Sequence, residues 1–206
     1  MNKISIKKKI IEYGARLYKS GLIASSDGNI SVKIKINEIL ITASGIAKGF
    51  MTEDNIIEIN LRGENTSSQK KPSSEYLMHT FIYINRPDIA ACVHAHPPFT
   101  TALSTVNLVP PVSLLPEAVI TIGEIAQIPY APVGTPAVPR QIEPYISNCN
   151  AFILKNHGVL TMGADLDEAF NRMETVEHLA KIFYIARSCG EPDLLEPDEI
   201  KRLRNL

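Results

Sequence analysis

Ile89-Ala90-Ala91-Cys92-Val93-His94-Ala95-His96-Pro97-Pro98 decides how this chain is read. The apolar run 89–93 has the length and composition of a buried β-strand, and the paired prolines stop it. Successive strand residues face opposite sides of a sheet, so His94 and His96 share one face, one pleat apart. Two imidazoles placed in this way can grip one metal ion, although a lone His-x-His also arises by chance at surfaces and in cores. Two features extend the pattern: His157 in a second apolar strand, and Glu75 just ahead of a helix. Cys92 shares the face of His94 and reads as a small buried thiol, with thiolate ligation the alternative.

Outward from this strand, hydrophobic spacing supplies the remaining elements. Ile6, Ile10, Tyr13 and Leu17 recur at helical intervals over 4–19, and Gly21 marks the stop. The turn Ser26-Asp27-Gly28-Asn29 leads into an alternating strand at 30–34, and Asn37-Glu38 separates it from another at 39–42, an antiparallel pair. Residues 56–61 read as a further strand and 63–71 as a polar loop. Pro72-Ser73-Ser74-Glu75 opens a helix running to about residue 85, and a second helix follows the histidine strand at 99–106. The stretch 109–139 is rich in proline and glycine and predicts short strands and loops. A brief helix at 140–146, strands at 151–154 and 159–162, and a long helix over 165–188 complete the chain. The expected fold is α/β: a single three-layer α/β/α domain over 1–206, its central, largely antiparallel sheet covered by helices.

Composition bounds the function. At 206 residues, 45% hydrophobic, 21% charged and with a net charge of −1, the chain has no basic excess for nucleic acid. No apolar run is long enough to cross a membrane. Lys3, Lys7, Lys8 and Lys9 read as a solvated helix face, because no signal-peptide core follows them. Three scattered cysteines, Cys92, Cys149 and Cys189, argue against a disulfide framework and for a reducing cytoplasm.

Three histidines on neighbouring strand ends match the ligand set of a catalytic zinc site, and Mn²⁺, Fe²⁺ or Co²⁺ suit the same donors. Glu75 has two readings: a carboxylate favoured at a helix start by the macrodipole, or a fourth ligand that doubles as a proton shuttle. Ser73 and Ser74 either cap the helix or, with its exposed N–H groups, bind an anion. Gly28-Asn29 and Ser44-Gly45 are two more donor-rich turns that serve as hairpin punctuation or as anion-binding concavities. A Schiff-base lysine is disfavoured, because neither Lys48 nor Lys155 lies in an obviously desolvating context.

Taken in order, Asp27-Gly28-Asn29-Ile30-Ser31, Ile41-Thr42-Ala43-Ser44-Gly45, Pro72-Ser73-Ser74-Glu75, His94-Ala95-His96 and Asn156-His157-Gly158 resemble the class II aldolase/adducin family. The resemblance spans about 10–185 and is greatest to the branch that cleaves L-fuculose 1-phosphate. It implies a zinc ion held by His94, His96 and His157, with Glu75 as resting ligand and acid/base. It also implies a phosphate pocket from Gly28, Asn29, Ser44, Gly45, Ser73 and Ser74, and a homotetramer with active sites between subunits. The implied reaction cleaves a ketose 1-phosphate to dihydroxyacetone phosphate and an aldehyde through a metal-stabilised enediolate.

Branch markers support the aldolases. The family's 4-epimerases usually have aspartate at the place of Glu75, its dehydratases generally lack the Pro-Ser-Ser-Glu string, and its adducin-like interaction modules lack the histidines. The chain departs from the aldolase pattern at Leu115 and Val133, where that pattern has a tyrosine and a phenylalanine, and it lacks a tyrosine in its C-terminal tail. Glu117 has two readings, a substitute acid/base or an ordinary first-turn glutamate after Pro116. Tyr130 is another candidate, read first as core packing. These departures bring in other ketose 1-phosphates, such as deoxy- or methylthio-pentulose phosphates. They also leave a dehydratase, decarboxylase or 4-epimerase, or a non-catalytic interaction module, as alternatives.

Overall fold

Ile6, Ile10, Tyr13 and Leu17 form one apolar stripe along α1 (Lys3–Lys19), which lays them against the sheet. Asn2 caps this helix by accepting from the Ser5 N–H, and Gly21, at φ +69°, turns the chain away at its far end. A computed structural model describes residues 2–65 and 69–205, so part of the loop read at 63–71 lies outside the described residues.

β1 (Asn29–Lys35) and β2 (Glu38–Thr42) pair antiparallel as expected. β3 (Ile56–Ile59) joins the edge of β2 and ends before residue 61, because the Asn60 side chain folds back and accepts from the N–H groups of Arg62 and Glu64. α2 (Tyr76–Asn85), β4 (Ala91–Ala95) and α3 (Pro98–Thr105) follow. The stretch 109–139 contains α4 (Pro116–Thr121) and β5 (Ile125–Ile128), and opens α5 (Ala137–Ile142) a few residues before the helix expected at 140–146. β6 (Ala151–Leu154) and β7 (Gly158–Gly163) flank a tight turn, and α6 (Leu166–Cys189) starts at Asp165, whose carboxylate accepts from the Glu168 N–H. A short α7 (Pro197–Leu203), not anticipated from the sequence, buries Leu203 and packs against α4.

The seven strands form one sheet in the order β3-β2-β1-β4-β7-β6-β5, antiparallel throughout except between β5 and β6. Alternation divides its side chains between two cores. Ala91, Val93, Ala95, Ile153 and Val159 meet α1, α4 and α6, whereas Ile39, Ile41, Cys92, Phe152 and Leu160 meet α2 and α5. The architecture is therefore the three-layer one, and the pleat that sends Cys92 toward α2 sends His94 the same way. Among the described residues no helix is long and apolar enough to cross a membrane.

Phe170 anchors the α6 layer, fully buried, with its ring centroid 4.4 Å from that of Tyr13. Phe170→Ala is expected to cost about 3–5 kcal/mol by opening a cavity that α1 and α6 cannot close. The shift of the denaturant midpoint at constant slope measures it.

Candidate metal centre

The centre forms where β1 begins and β4 ends. Antiparallel pairing sets Asn29 opposite His94, and the turn before Asn29 crosses directly over the end of β4. Gly28 makes that crossing possible. Its φ is +70°, and a Cβ there would lie 2.6 Å from the His94 carbonyl oxygen. Gly158 does the same from the other side, since its Cβ would meet the Ala95 carbonyl oxygen at 2.4 Å and His96 Cδ2 at 2.7 Å. Between β6 and β7, Asn156 takes the left-handed conformation (φ 58°) and its N–H donates to the Ser104 hydroxyl, so the turn carries His157 back over the site.

Three imidazoles consequently face inward through the same nitrogen. His94 Nε2 lies 3.1 Å from His96 Nε2 and 3.2 Å from Glu75 Oε2, and His157 Nε2 lies 3.3 Å from Glu75 Oε1. The outer nitrogens of two rings face other partners. His94 Nδ1–H donates to the Val159 carbonyl at 2.9 Å, and His96 Nδ1 lies 3.5 Å from Asp27 Oδ2. Such outer partners orient metal-binding histidines. Ligand atoms of all three rings lie within 4.8 Å of one another, a set able to hold a metal ion. Glu75 Oε1 has no hydrogen-bond donor although it is buried, and two ring nitrogens meet at hydrogen-bond distance. This arrangement suits a cation at the centre of the set.

Charge balance supports the same fit. Burial alone would push the Glu75 carboxyl up, but His94, His157 and the Asn29 amide outweigh it and hold the group well below the usual carboxylate range. Burial would lower His94, yet the Glu75 charge and the Val159 carbonyl leave it raised. His96 and His157 are each drawn down to about 4, first by burial and then by His94. The Glu75 carboxylate thus favours positive charge among these rings, which a bound cation would supply, and two imidazoles stay neutral as ligation requires.

A buried chain of hydrogen bonds holds Glu75 from behind. A carboxylate only accepts, so Asn29 Nδ2 donates to Glu75 Oε2 at 2.9 Å. The Asn29 Oδ1 then accepts from His79 Nε2–H, and His79 Nδ1 accepts from the Ser31 hydroxyl at 2.7 Å. Ser31 in turn accepts from the Tyr83 hydroxyl at 2.6 Å. His79 is fully buried and drawn down to about 3, by burial first and by His94 second, so it stays neutral and can serve as donor and acceptor at once. Sequence reasoning missed it; the signal available was its place one helical turn beyond Glu75 on α2.

The donor-rich turns surround this cluster, with some of their donors already taken. The Ser73 N–H donates to the Thr42 carbonyl and the Ser44 N–H to the Lys71 carbonyl, a bridge that fastens 71–73 beside the end of β2. Ser73 Oγ accepts from the Glu75 N–H, so this serine does cap the backbone. Ser44, Gly45 and Ser74 are exposed, and their hydroxyls and remaining N–H groups face solvent at the α2 N-terminus and the adjoining turn. Cys92 is buried away from the cluster, its thiol pushed up to about 12 chiefly by burial, beside Tyr83. It takes the structural reading.

Other candidates fall elsewhere. α4 packs on the opposite face of the sheet from α2, so within one chain Glu117 lies across the sheet from Glu75. There it is exposed beside Glu174, His178 and Lys181. Tyr130 is 61% exposed, which overturns the core reading: it stands two residues beyond the end of β5, and Ala131 after it turns inward. Leu115 is half-buried and Val133 is 49% exposed. Lys48 corrects a second expectation, because it is only 2% exposed. Burial draws its pKa down to about 8, against the pull of Asp27 and Glu75. Nothing in Ile46-Ala47-Lys48-Gly49-Phe50 announces this. The segment is pressed inward because Gly14 of α1 has no side chain there, and a Cβ would lie 2.8 Å from the Lys48 carbonyl oxygen.

His94→Ala is expected to abolish stoichiometric metal binding with the far-ultraviolet circular dichroism unchanged. Gly158→Ala, which touches no ligand atom, should displace His96 and weaken the metal affinity by about ten- to a hundredfold. Calorimetric titration with Zn²⁺ reads both, and wild-type affinity in Gly158→Ala would refute the close approach.

Known proteins share this sequence pattern and fold. Residues 8–184 match the family model described as Class II Aldolase and Adducin N-terminal domain. An L-fuculose phosphate aldolase of Methanococcus maripaludis is 37% identical over 85% of this chain and 93% of its own length. A 3-oxo-tetronate 4-phosphate decarboxylase of Haemophilus influenzae is 29% identical over 100% of this chain and 99% of its own. Among solved structures, an L-fuculose 1-phosphate aldolase superposes with a TM-score of 0.92 at 30% identity, covering 100% of this chain and 97% of that one.

Proposed function

The chain belongs to the class II aldolase and adducin family, and we propose that it is a metal-dependent aldehyde-lyase that reversibly cleaves a ketose 1-phosphate to dihydroxyacetone phosphate and an aldehyde. The observation that carries this reading is the cluster of His94, His96 and His157, two of them facing through Nε2 a buried carboxylate with one oxygen left without a donor. His94, His96 and His157 would hold the ion, with Glu75 as resting fourth ligand. Zn²⁺ is the ion proposed, and Mn²⁺, Fe²⁺ and Co²⁺ suit the same donors. When bound, the cation supplies Lewis acidity for the negative charge that carbon–carbon cleavage leaves on the substrate oxygens.

The chain's own residues supply the rest. Gly28, Asn29, Ser44, Gly45, Ser73 and Ser74 surround the α2 N-terminus with hydroxyl, amide and backbone donors, which suits the phosphate end of the substrate. Glu75 is the acid/base at C1. Held charged by its neighbours, it can take a proton and return it, while the chain from Asn29 to Tyr83 fixes where its oxygens sit. L-fuculose 1-phosphate and related deoxy- or methylthio-pentulose phosphates are the substrates proposed. The three free cysteines fit a cytoplasmic enzyme, and a homotetramer with active sites between neighbouring subunits is the assembly proposed.

Decarboxylation of an oxo-acid sugar phosphate is the second reading, and a particular observation favours it. Cleavage turns the C4 hydroxyl into the aldehyde carbonyl, so a base must take that hydroxyl proton, yet Leu115 and Val133 are aliphatic, Tyr130 is exposed and Glu117 lies across the sheet. A carboxylate loses carbon dioxide with no such proton to remove.

Deuterium exchange into dihydroxyacetone phosphate, followed by NMR with and without chelator, tests the main reading. Chelator-sensitive, stereospecific exchange at C1 is expected, and its absence from fully metal-loaded protein would transfer the assignment to the decarboxylase. Glu75→Gln should retain most of the metal and slow the exchange by about 10²–10⁴-fold, the usual contribution of a positioned acid/base. Unchanged exchange would remove Glu75 from that role.

A further inference from the structure

Lys48 is the only lysine or arginine buried among the described residues, at 2% exposure. It stands in a single 3₁₀ turn (Lys48–Phe50) just after Ser44-Gly45. Its ammonium donates to the Ser26 carbonyl at 2.7 Å and to the Ile46 carbonyl at 2.8 Å. Those carbonyls belong to the turn leading to Gly28-Asn29 and to the loop following Ser44-Gly45, so one side chain spans both. No carboxylate of the described residues pairs with it, yet its charge is felt at Asp27, Glu75 and His94. An ammonium carries three donors, of which these carbonyls take two. Buried cations are costly unless an anion faces them, and two neutral carbonyls are partial compensation. A methionine of similar length would fill the same space without that cost.

We propose that Lys48 is the residue that selects a phosphorylated substrate: its ammonium pairs with the phosphate dianion and holds the two flanking turns at the spacing that receives it. This rests on the aldolase reading for the site and adds to it a residue outside the donor set described above. The cation stands beside the donor turns and Glu75 stands at the metal cluster, so the substrate is held by charge at its phosphate end and by the ion at its reacting end.

The test uses full-length, metal-loaded protein, with inorganic phosphate as probe and dihydroxyacetone phosphate as substrate. Lys48→Met should weaken phosphate binding and raise KM by about ten- to a hundredfold, the range for loss of a charged hydrogen bond. Exchange at C1 under saturation should stay within about threefold, the mark of lost uniform binding. Exchange into unphosphorylated dihydroxyacetone should be unaltered. A merely structural lysine would impair both substrates alike, and that outcome, or an unchanged KM, overturns the proposal. Should Lys48→Met fail to fold, the ammonium ¹⁵N resonance of Lys48 in the wild type decides: a shift on saturation with phosphate is expected, and no shift overturns the proposal. Wild-type protein without C1 exchange would sink the aldolase reading alone, because the phosphate titration still reports on Lys48.

Discussion

A carboxylate kept charged at the edge of a protein core is the constraint around which this molecule is organised. Glu75 is 8% exposed, and an ion so placed costs several kcal/mol unless its partners restore what water supplied. Two imidazoles face its oxygens and one amide donates to it. Each of those partners is held in turn: His94 by the Val159 carbonyl, and Asn29 by His79, which Ser31 and Tyr83 fix behind it. Because the carboxylate can only accept, the polarity of the chain runs one way from Tyr83 to Glu75, and His79 has a single usable tautomer. Removing any link would leave a buried donor or acceptor unpaired, which is costlier than the net value of the bond itself.

That network works only because backbones meet closely at the end of β4. Gly28 and Gly158 approach β4 from its two neighbouring strands, and each leaves less room than a methyl group needs. Steric exclusion, rather than turn geometry alone, therefore ties these glycines to the site. Gly45 makes the contrast: it also has a positive φ, but open space surrounds the position where a Cβ would go. Its constraint is conformational only.

The electrostatic layout has two poles. The histidines set against the Glu75 carboxylate form one, suited to a cation. The other, Lys48, is buried beside the donor turns, where its ammonium donates to the Ser26 and Ile46 carbonyls. A sugar phosphate offers the complement, with a dianion at one end and chelating oxygens at the other. Binding energy gathered at the phosphate can then align the reacting carbons. The departing group is where the chain is less well equipped, since aliphatic Leu115 and Val133 offer no base for its hydroxyl proton.

Local physics made much of this legible from the residues. The two-residue period put His94 and His96 on one face, the 3.6-residue stripe of Ile6, Ile10, Tyr13 and Leu17 gave α1, and Gly21 ended it. The ordered motifs pointed to the family, and with it to His157 and Glu75 as neighbours of the pair. A short strand in 109–139 was legible and is β5, but α4 escaped, because a six-residue helix begun by proline leaves too little periodicity to read. Tertiary structure alone decided the rest. The parallel pairing of β6 with β5 depends on the route taken between them, the face occupied by Glu117 depends on α4 packing with α6, and the burial of Lys48 depends on a glycine 34 positions earlier in another helix (Gly14 against Lys48). The sequence by itself determined which side chains share a face and which turns offer donors, since those follow from bonds between near neighbours. It could not determine which charges are denied water, because burial belongs to the assembled layers rather than to any one segment.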